Sequence, residues 1–310
     1  MAKDFPGELD LSVDLNGLKL KNPVTAASGT FGFGQEYSDF IDPSLPGAIS
    51  VKGITPEARQ GNSPHRIAET PAGMLNAIGL QNPGLDNFIS EKIPFLSDYD
   101  CKIIVNISAD SVKDFAEMAA RLEGTDVDAL ELNISCPNVK KGGIAFGREP
   151  ETAAKVVREA KNNASLPVIT KLTPNTGRIT EVAAAVEEAG SDAISLINTL
   201  PGMKIDVEKQ KPILNNITGG LSGPAIRPVA VYMVYQVART VDIPLIGMGG
   251  ITCARDAVEF FLAGARAVAV GTASFVNPEA MKEILQGIEK HLIKNNIRDI
   301  KELERGIFDE

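Results

Sequence analysis

The chain has 310 residues, 44% of them hydrophobic and 23% charged, which allows one large domain with a sizeable core or two small ones. A net charge of −9 argues against nucleic acid or an anionic membrane as the main partner. No apolar run approaches the roughly 18 residues of a membrane span, and nothing near Met1 reads as a signal peptide, so a cytoplasmic location is expected. The three cysteines, Cys101, Cys136 and Cys253, are far apart with no CxxC, which points to neither a disulfide framework nor a zinc or iron–sulfur site. With only His65 and His291 available, acid–base chemistry is expected to use another residue type.

The first element is "LSVDLNGLKLKNPV", where apolar and polar residues alternate around Asn16-Gly17, the pattern of a β-hairpin with a tight turn. Strand-like and helix-like runs then alternate. The strand candidates are "PVTAAS", "GAISVKG", "KIIVNIS", "ALELNIS", "PVITKL", "DAISLIN", "IPLIGMGG" and "AVAVGT". Helical patterns lie between many of them: "DSVKDFAEMAARLEG", "PETAAKVVREAK", "ITEVAAAVEEAG", "GPAIRPVAVYMVYQVART", "CARDAVEFFLAGA" and "NPEAMKEILQGIEKHL". Eight parallel strands alternating with helices predict a (β/α)8 barrel, an α/β fold, with the N-terminal hairpin covering its bottom. An open doubly wound sheet is the alternative, weakened because no GxGxxG turn follows an early strand. No linker divides the chain, so one domain over residues 1–310 is expected. The long connections 54–80, 137–149 and 199–223 read as structureless functional loops at the C-terminal face of the strands. The ending "KELERGIFDE" reads as a solvated last helix or tail.

In such a barrel, chemistry gathers where strands end. The candidate strands finish in Ser28, Lys52, Asn106, Asn133, Lys171, Asn198, Gly249-Gly250 and Gly271-Thr272. Two lysines and three asparagines on one face, with no compensating carboxylate at those ends, suit an anionic, amide-rich ligand rather than a metal. Glu131 is the reservation, because it shares the parity of Asn133 and would point into the barrel. The glycine pairs follow the seventh and eighth strands, where barrels of this type often hold a phosphate on backbone N–H groups. Tight turns are the ordinary explanation of such pairs.

Taken in order, "NAIGLQNPG", "ELNISCPNVKKGGIAFG", "TKLTPN", "INT", "GGLSGPAIRP", "GMGGI" and "AVGTA" resemble dihydroorotate dehydrogenases, most of all the catalytic subunit of the NAD-linked class 1B type. The resemblance spans nearly the whole chain and implies a barrel that holds one FMN and oxidises dihydroorotate to orotate in pyrimidine biosynthesis. It implies flavin contacts at Ser28, Lys52, Gly53, Asn106, Asn133, Lys171, Ile197, Gly223, Gly249, Gly250, Gly271 and Thr272. It implies substrate contacts at Lys52, Asn76, Ala77, Ile78, Gly79, Leu80, Asn133, Asn198 and Thr199, and Cys136 as the catalytic base. A thiol of ordinary pKa near ~8.5 is only a few per cent ionised at neutral pH, so Lys140, Lys141, the substrate's surroundings or loop closure would have to activate it.

With no dinucleotide fingerprint and no four-thiolate set here, electrons bound for NAD would leave through another polypeptide. The resemblance implies a partner subunit carrying FAD and a 2Fe–2S cluster, two copies of each chain forming a heterotetramer around a homodimer core. Several alternatives stand beside this. A class 1A homodimer passes electrons to fumarate. A pyrimidine reductase would act on uracil-like substrates, and a tRNA dihydrouridine synthase would need a basic surface. A Schiff-base lyase would act through Lys171.

Overall fold

The computed structural model describes residues 9–135 and 146–308. The hairpin comes first: β1 (Val13–Leu15) pairs antiparallel with β2 (Leu18–Leu20) across Asn16 and Gly17, whose φ values of 53° and 103° make the turn. Its alternation has the expected consequence. Val13, Leu15, Leu18 and Leu20 are buried while the residues between them are exposed. Asn16 Nδ2 donates to the carbonyl of Asp192 and Arg266 Nη1 to that of Asp14, residues just before two barrel strands, so the hairpin closes the N-terminal end of the barrel.

All eight strands expected from the sequence are present. They are β3 (Val24–Ala26), β4 (Ala48–Ser50), β7 (Lys102–Ile107), β8 (Ala129–Asn133), β9 (Val168–Lys171), β10 (Ala193–Leu196), β15 (Leu245–Met248) and β16 (Ala267–Val270). They pair parallel in chain order and β16 returns to β3, closing the barrel and excluding the open sheet. Both faces of these strands are covered, which is why they read as apolar runs rather than alternating ones.

The helices follow the 3.6-residue spacing of their buried residues. α1 (Leu85–Asn87) and α2 (Ile93–Ser97) precede β7. Then come α3 (Val112–Leu122), α4 (Pro150–Asn163), α5 (Ile179–Glu188), α6 (Arg227–Ala238), α7 (Ala254–Leu262), α8 (Ala273–Val276) and α9 (Ala280–Asn295). In α3 the stripe Phe115, Ala116, Met118, Ala119 and Leu122 is buried, and Ser111 caps the start by accepting from the Asp114 N–H. Pro150 opens α4 at its first turn, where no N–H is needed.

Two expectations need correction. Connections 54–80 and 199–223 are not structureless. Within them β5 (Ile67–Thr70), β6 (Gly73–Asn76), β11 (Leu200–Met203) and β14 (Thr218–Ser222) form an antiparallel sheet of order β11–β14–β6–β5. A small hairpin of β12 (Ile205–Asp206) and β13 (Lys211–Pro212) extends it. The ending does contain a short last helix, the 3-10 turn Ile300–Leu303, but through Phe308 it is docked rather than solvated. Ile300 and Leu303 are buried, Glu304 pairs with Arg266, and the Phe308 ring packs on Tyr235. Its apolar residues, spaced among charges, were enough to dock it.

Candidate active site

Register partners in a parallel sheet share a face, and here the register pairs Asn106 with Glu131, Asn133 with Lys171, and Lys171 with Ser195. These side chains form a polar layer inside the barrel near the strands' C-terminal ends. Asn106 and Ser195 are fully buried, and the Lys171 and Glu131 side chains are 6% and 2% exposed. Lys171 Nζ donates to Ser28 Oγ at 2.8 Å and stands 3.7 Å from Glu131 Oε2. The other Glu131 oxygen accepts from Ser195 Oγ at 2.7 Å, and Oε2 also accepts from Asn106 Nδ2. Asn133 Nδ2 donates to Asn106 Oδ1 at 3.3 Å. Asn133 Oδ1 is buried and has no partner among the described residues. Such an atom is an acceptor waiting for an N–H or O–H.

A compensating carboxylate is therefore present, correcting the expectation of strand ends without one. Its signal in the sequence was the shared parity of Glu131 and Asn133. Ser195 gave no such signal, since only the β9–β10 register reveals that it faces the layer.

The other expected residues surround this layer. Ser28, Lys52, Ile197 and Asn198 fall one or two residues beyond the observed strand ends. Lys52 is half-buried, and burial holds its ammonium below the usual lysine range, with Glu36 opposing and Arg66 reinforcing the shift. Gly53 lies against Asn106, and a Cβ there would come 2.9 Å from Asn106 Oδ1. Residues Asn76 to Leu80 leave β6 along a strap in which Asn62 Nδ2 donates to the Ala77 carbonyl and the Asn62 N–H to that of Ile78. Asn76 Nδ2 donates to the Gly220 carbonyl at 3.3 Å, tying the strap to β14. Asn198 Oδ1 accepts from the Thr199 N–H at 2.7 Å, and the Thr199 side chain packs on Gly220.

At the far side, Gly249-Gly250 follow β15 and Gly271-Thr272 follow β16. A Cβ on Gly250 would sit 2.8 Å from the Gly223 carbonyl, so this approach of backbones requires glycine. Thr272 Oγ1 donates to Ser222 Oγ, joining the end of β16 to β14.

Cys136, Lys140 and Lys141 lie outside the described residues. The residue before Cys136 is placed: Ser135 Oγ donates to the Lys171 carbonyl at 3.0 Å. His65 is exposed and His291 is partly exposed on α9. Burial pushes the Cys101 thiol up to about 11, and Cys253 is exposed at the start of α7. Among the described residues no helix is long and apolar enough to cross a membrane.

The family model for dihydroorotate dehydrogenase matches residues 10–292. The chain belongs to that family. Curated relatives agree over nearly their whole length. The dihydroorotate dehydrogenase B (NAD(+)) catalytic subunit of Desulforamulus reducens is 57% identical over 96% of this chain and 98% of its own. The proteins of the same name from Thermoanaerobacter pseudethanolicus and Geotalea daltonii are 53% and 55% identical over 95% of this chain, and over 98% and 97% of their own. Dihydroorotate dehydrogenases of this kind thus resemble the chain over the barrel and over the sheet that covers its C-terminal end.

Proposed function

We propose that the chain is the catalytic subunit of an NAD-linked dihydroorotate dehydrogenase, a cytoplasmic enzyme that oxidises (S)-dihydroorotate to orotate in pyrimidine biosynthesis. The observation that carries this is the buried polar layer of Lys171, Asn106, Asn133 and Glu131, in a chain more than half identical to subunits of that name. Nothing favours the fumarate-linked alternative over it.

The site suits FMN. Asn133 Oδ1 is a buried acceptor lacking a donor among the described residues, Lys171 offers a fixed cation, and the close-packed glycines at Gly223, Gly249 and Gly250 admit no side chain where a phosphate would lie. Ser28, Lys52, Gly53, Asn106, Asn133, Lys171 and Ile197 would hold the ring system and Gly223, Gly249, Gly250, Gly271 and Thr272 the phosphate end. The chemistry FMN supplies when bound is acceptance of a hydride from the substrate ring.

The chain's own residues do the rest. Lys171, anchored by Ser28 and Glu131, places a positive charge beside the cofactor without having to reorganise. Lys52 is disfavoured as a cation by its burial, and an anionic substrate carboxylate would relieve that penalty. Asn76, Asn133 and Asn198 offer the donors and acceptors that a pyrimidinedione edge requires. Residues Asn76 to Leu80 and Asn198-Thr199 would line the substrate. Cys136 would take the ring proton as a thiolate, on the side of the substrate away from the flavin.

Electrons bound for NAD would leave through a partner subunit carrying FAD and a 2Fe–2S cluster, in a heterotetramer built on a dimer of this chain. The exposed Met203, Ile205, Val207 and Ile217 on and beside the upper sheet support self-association, since a second copy would cover them. The deciding experiment is anaerobic reduction. Purified protein is expected to be yellow, to release FMN on denaturation, and to bleach with dihydroorotate. A colourless chain that cannot be reconstituted with FMN would sink the reading. Co-purification of an untagged subunit with FAD and a cluster checks the partner.

A further inference from the structure

We propose that Glu131 is a positioning residue that sets the hydrogen-bonding polarity of the ligand-facing amide of Asn133, acting through Asn106. The inference rests on the reading of Asn133 as a substrate contact. An asparagine amide presents an acceptor on one side and a donor on the other, and nothing in its shape decides which way round it sits. A carboxylate has no such ambiguity, because it only accepts. Glu131 has one oxygen held by Ser195 Oγ at 2.7 Å, while the other faces Asn106 and lies 3.7 Å from the Lys171 ammonium. Asn106 must therefore turn its NH2 toward Glu131, which leaves its Oδ1 facing Asn133. Asn133 must in turn offer its NH2 to that oxygen, at 3.3 Å. Its own Oδ1 then faces away, buried and without a partner among the described residues.

The order carboxylate, amide, amide thus commits the last atom to accept. A ligand is selected that brings an N–H to Asn133, and one presenting a carbonyl there meets like polarity. Reversing either amide would place two NH2 groups or two oxygens against each other inside the barrel, where an unmet polar group is costly. The fixed end of the chain does not depend on the ligand, so the polarity exists before binding.

The relay can be read without any ligand. A neutron structure of the perdeuterated protein is expected to show both deuterons of Asn106 and of Asn133 on the nitrogens named here, with Asn133 Oδ1 bare. Deuterons at the opposite end of either amide overturn the proposal, whatever the substrate. The consequence for binding is tested with Glu131→Gln and Glu131→Leu, using the FMN-loaded protein and orotate. Glu131→Gln preserves the order, because its oxygen stays toward Asn106 and the Lys171 ammonium while its NH2 turns to the Ser195 hydroxyl, which then accepts. Glu131→Leu removes the fixed acceptor, and nothing then holds the two asparagines in the order described.

Glu131→Leu is therefore expected to bind orotate at least tenfold more weakly than Glu131→Gln when the two are compared at equal FMN loading. The charge lost from residue 131 is common to both variants and cancels in that ratio. Equal affinity of the two variants would overturn the relay. Wild-type protein that loads FMN but gives no orotate difference spectrum would overturn the substrate assignment instead, and the neutron result would still decide the relay.

Discussion

Lys171 and Glu131 come from adjacent barrel strands and meet with charged atoms 3.7 Å apart, their side chains 6% and 2% exposed. Neither charge has water to fall back on. Removing one partner leaves the other buried and uncompensated, which typically costs about 3–5 kcal/mol. Lys171→Ala is expected to lower the unfolding free energy of the apoprotein, taken from urea curves, by an amount of that size, and combination with Glu131→Gln is expected to recover part of it. An unchanged free energy would show that the carboxylate is hydrated. The Schiff-base alternative is checked on the same lysine: borohydride with dihydroorotate should trap no adduct.

Cys136→Ala is expected to keep its FMN but to lose flavin reduction by dihydroorotate by orders of magnitude, measured anaerobically by stopped flow. In the unmodified protein that rate should climb between pH 6 and 9 as the thiolate fraction grows. A flat profile would remove a titrating thiol from the mechanism.

The Cys101 thiol gives a pH dependence of stability with a definite sign. Burial raises it from 9.0 to about 11. Below pH 9 both folded and unfolded chains hold the proton and there is no effect. Above it the unfolded chain ionises while the folded one does not, so stability falls by about 1.4 kcal/mol per pH unit until the folded thiol ionises too. Cys101→Ala should remove this component of the decline in denaturation curves taken from pH 8 to 11. By the same logic of exposure, Cys253 should alkylate well before Cys101.

Gly79 turns the strap that carries the expected substrate residues. Its φ is +77°, and a Cβ there would stand 2.7 Å from the Asn62 backbone nitrogen. Gly79→Ala is expected to cost about 1–3 kcal/mol of stability from strain and overpacking. Because the strap must shift to make room, orotate binding should weaken about tenfold or more, which a flavin difference titration measures. Full affinity would place the substrate elsewhere.

Much of this was legible in the order of residues. Strands buried on both faces have to be apolar along their length, and helices lying against them have to be apolar along one stripe. Both constraints leave local patterns, so all eight barrel strands and the helices α3 to α7 and α9 could be read from the chain, whereas the short α1 and α2 left no such stripe. The polar ends of those strands, from Asn106 to Lys171, were visible for the same reason: they interrupt apolar runs. The upper sheet was not legible. Its strands "GMLN", "LPGM" and "TGGLS" are short and rich in glycine or proline, with no alternation to read, and β6 pairs with β14 far along the chain, Asn76 with Gly220. What Glu131 touches was also beyond the sequence. Parity turned it inward, but only barrel closure and register brought Asn106, Lys171 and Ser195 to its two oxygens. Local periodicity records which face a residue takes, whereas the neighbour it meets there depends on how distant strands align.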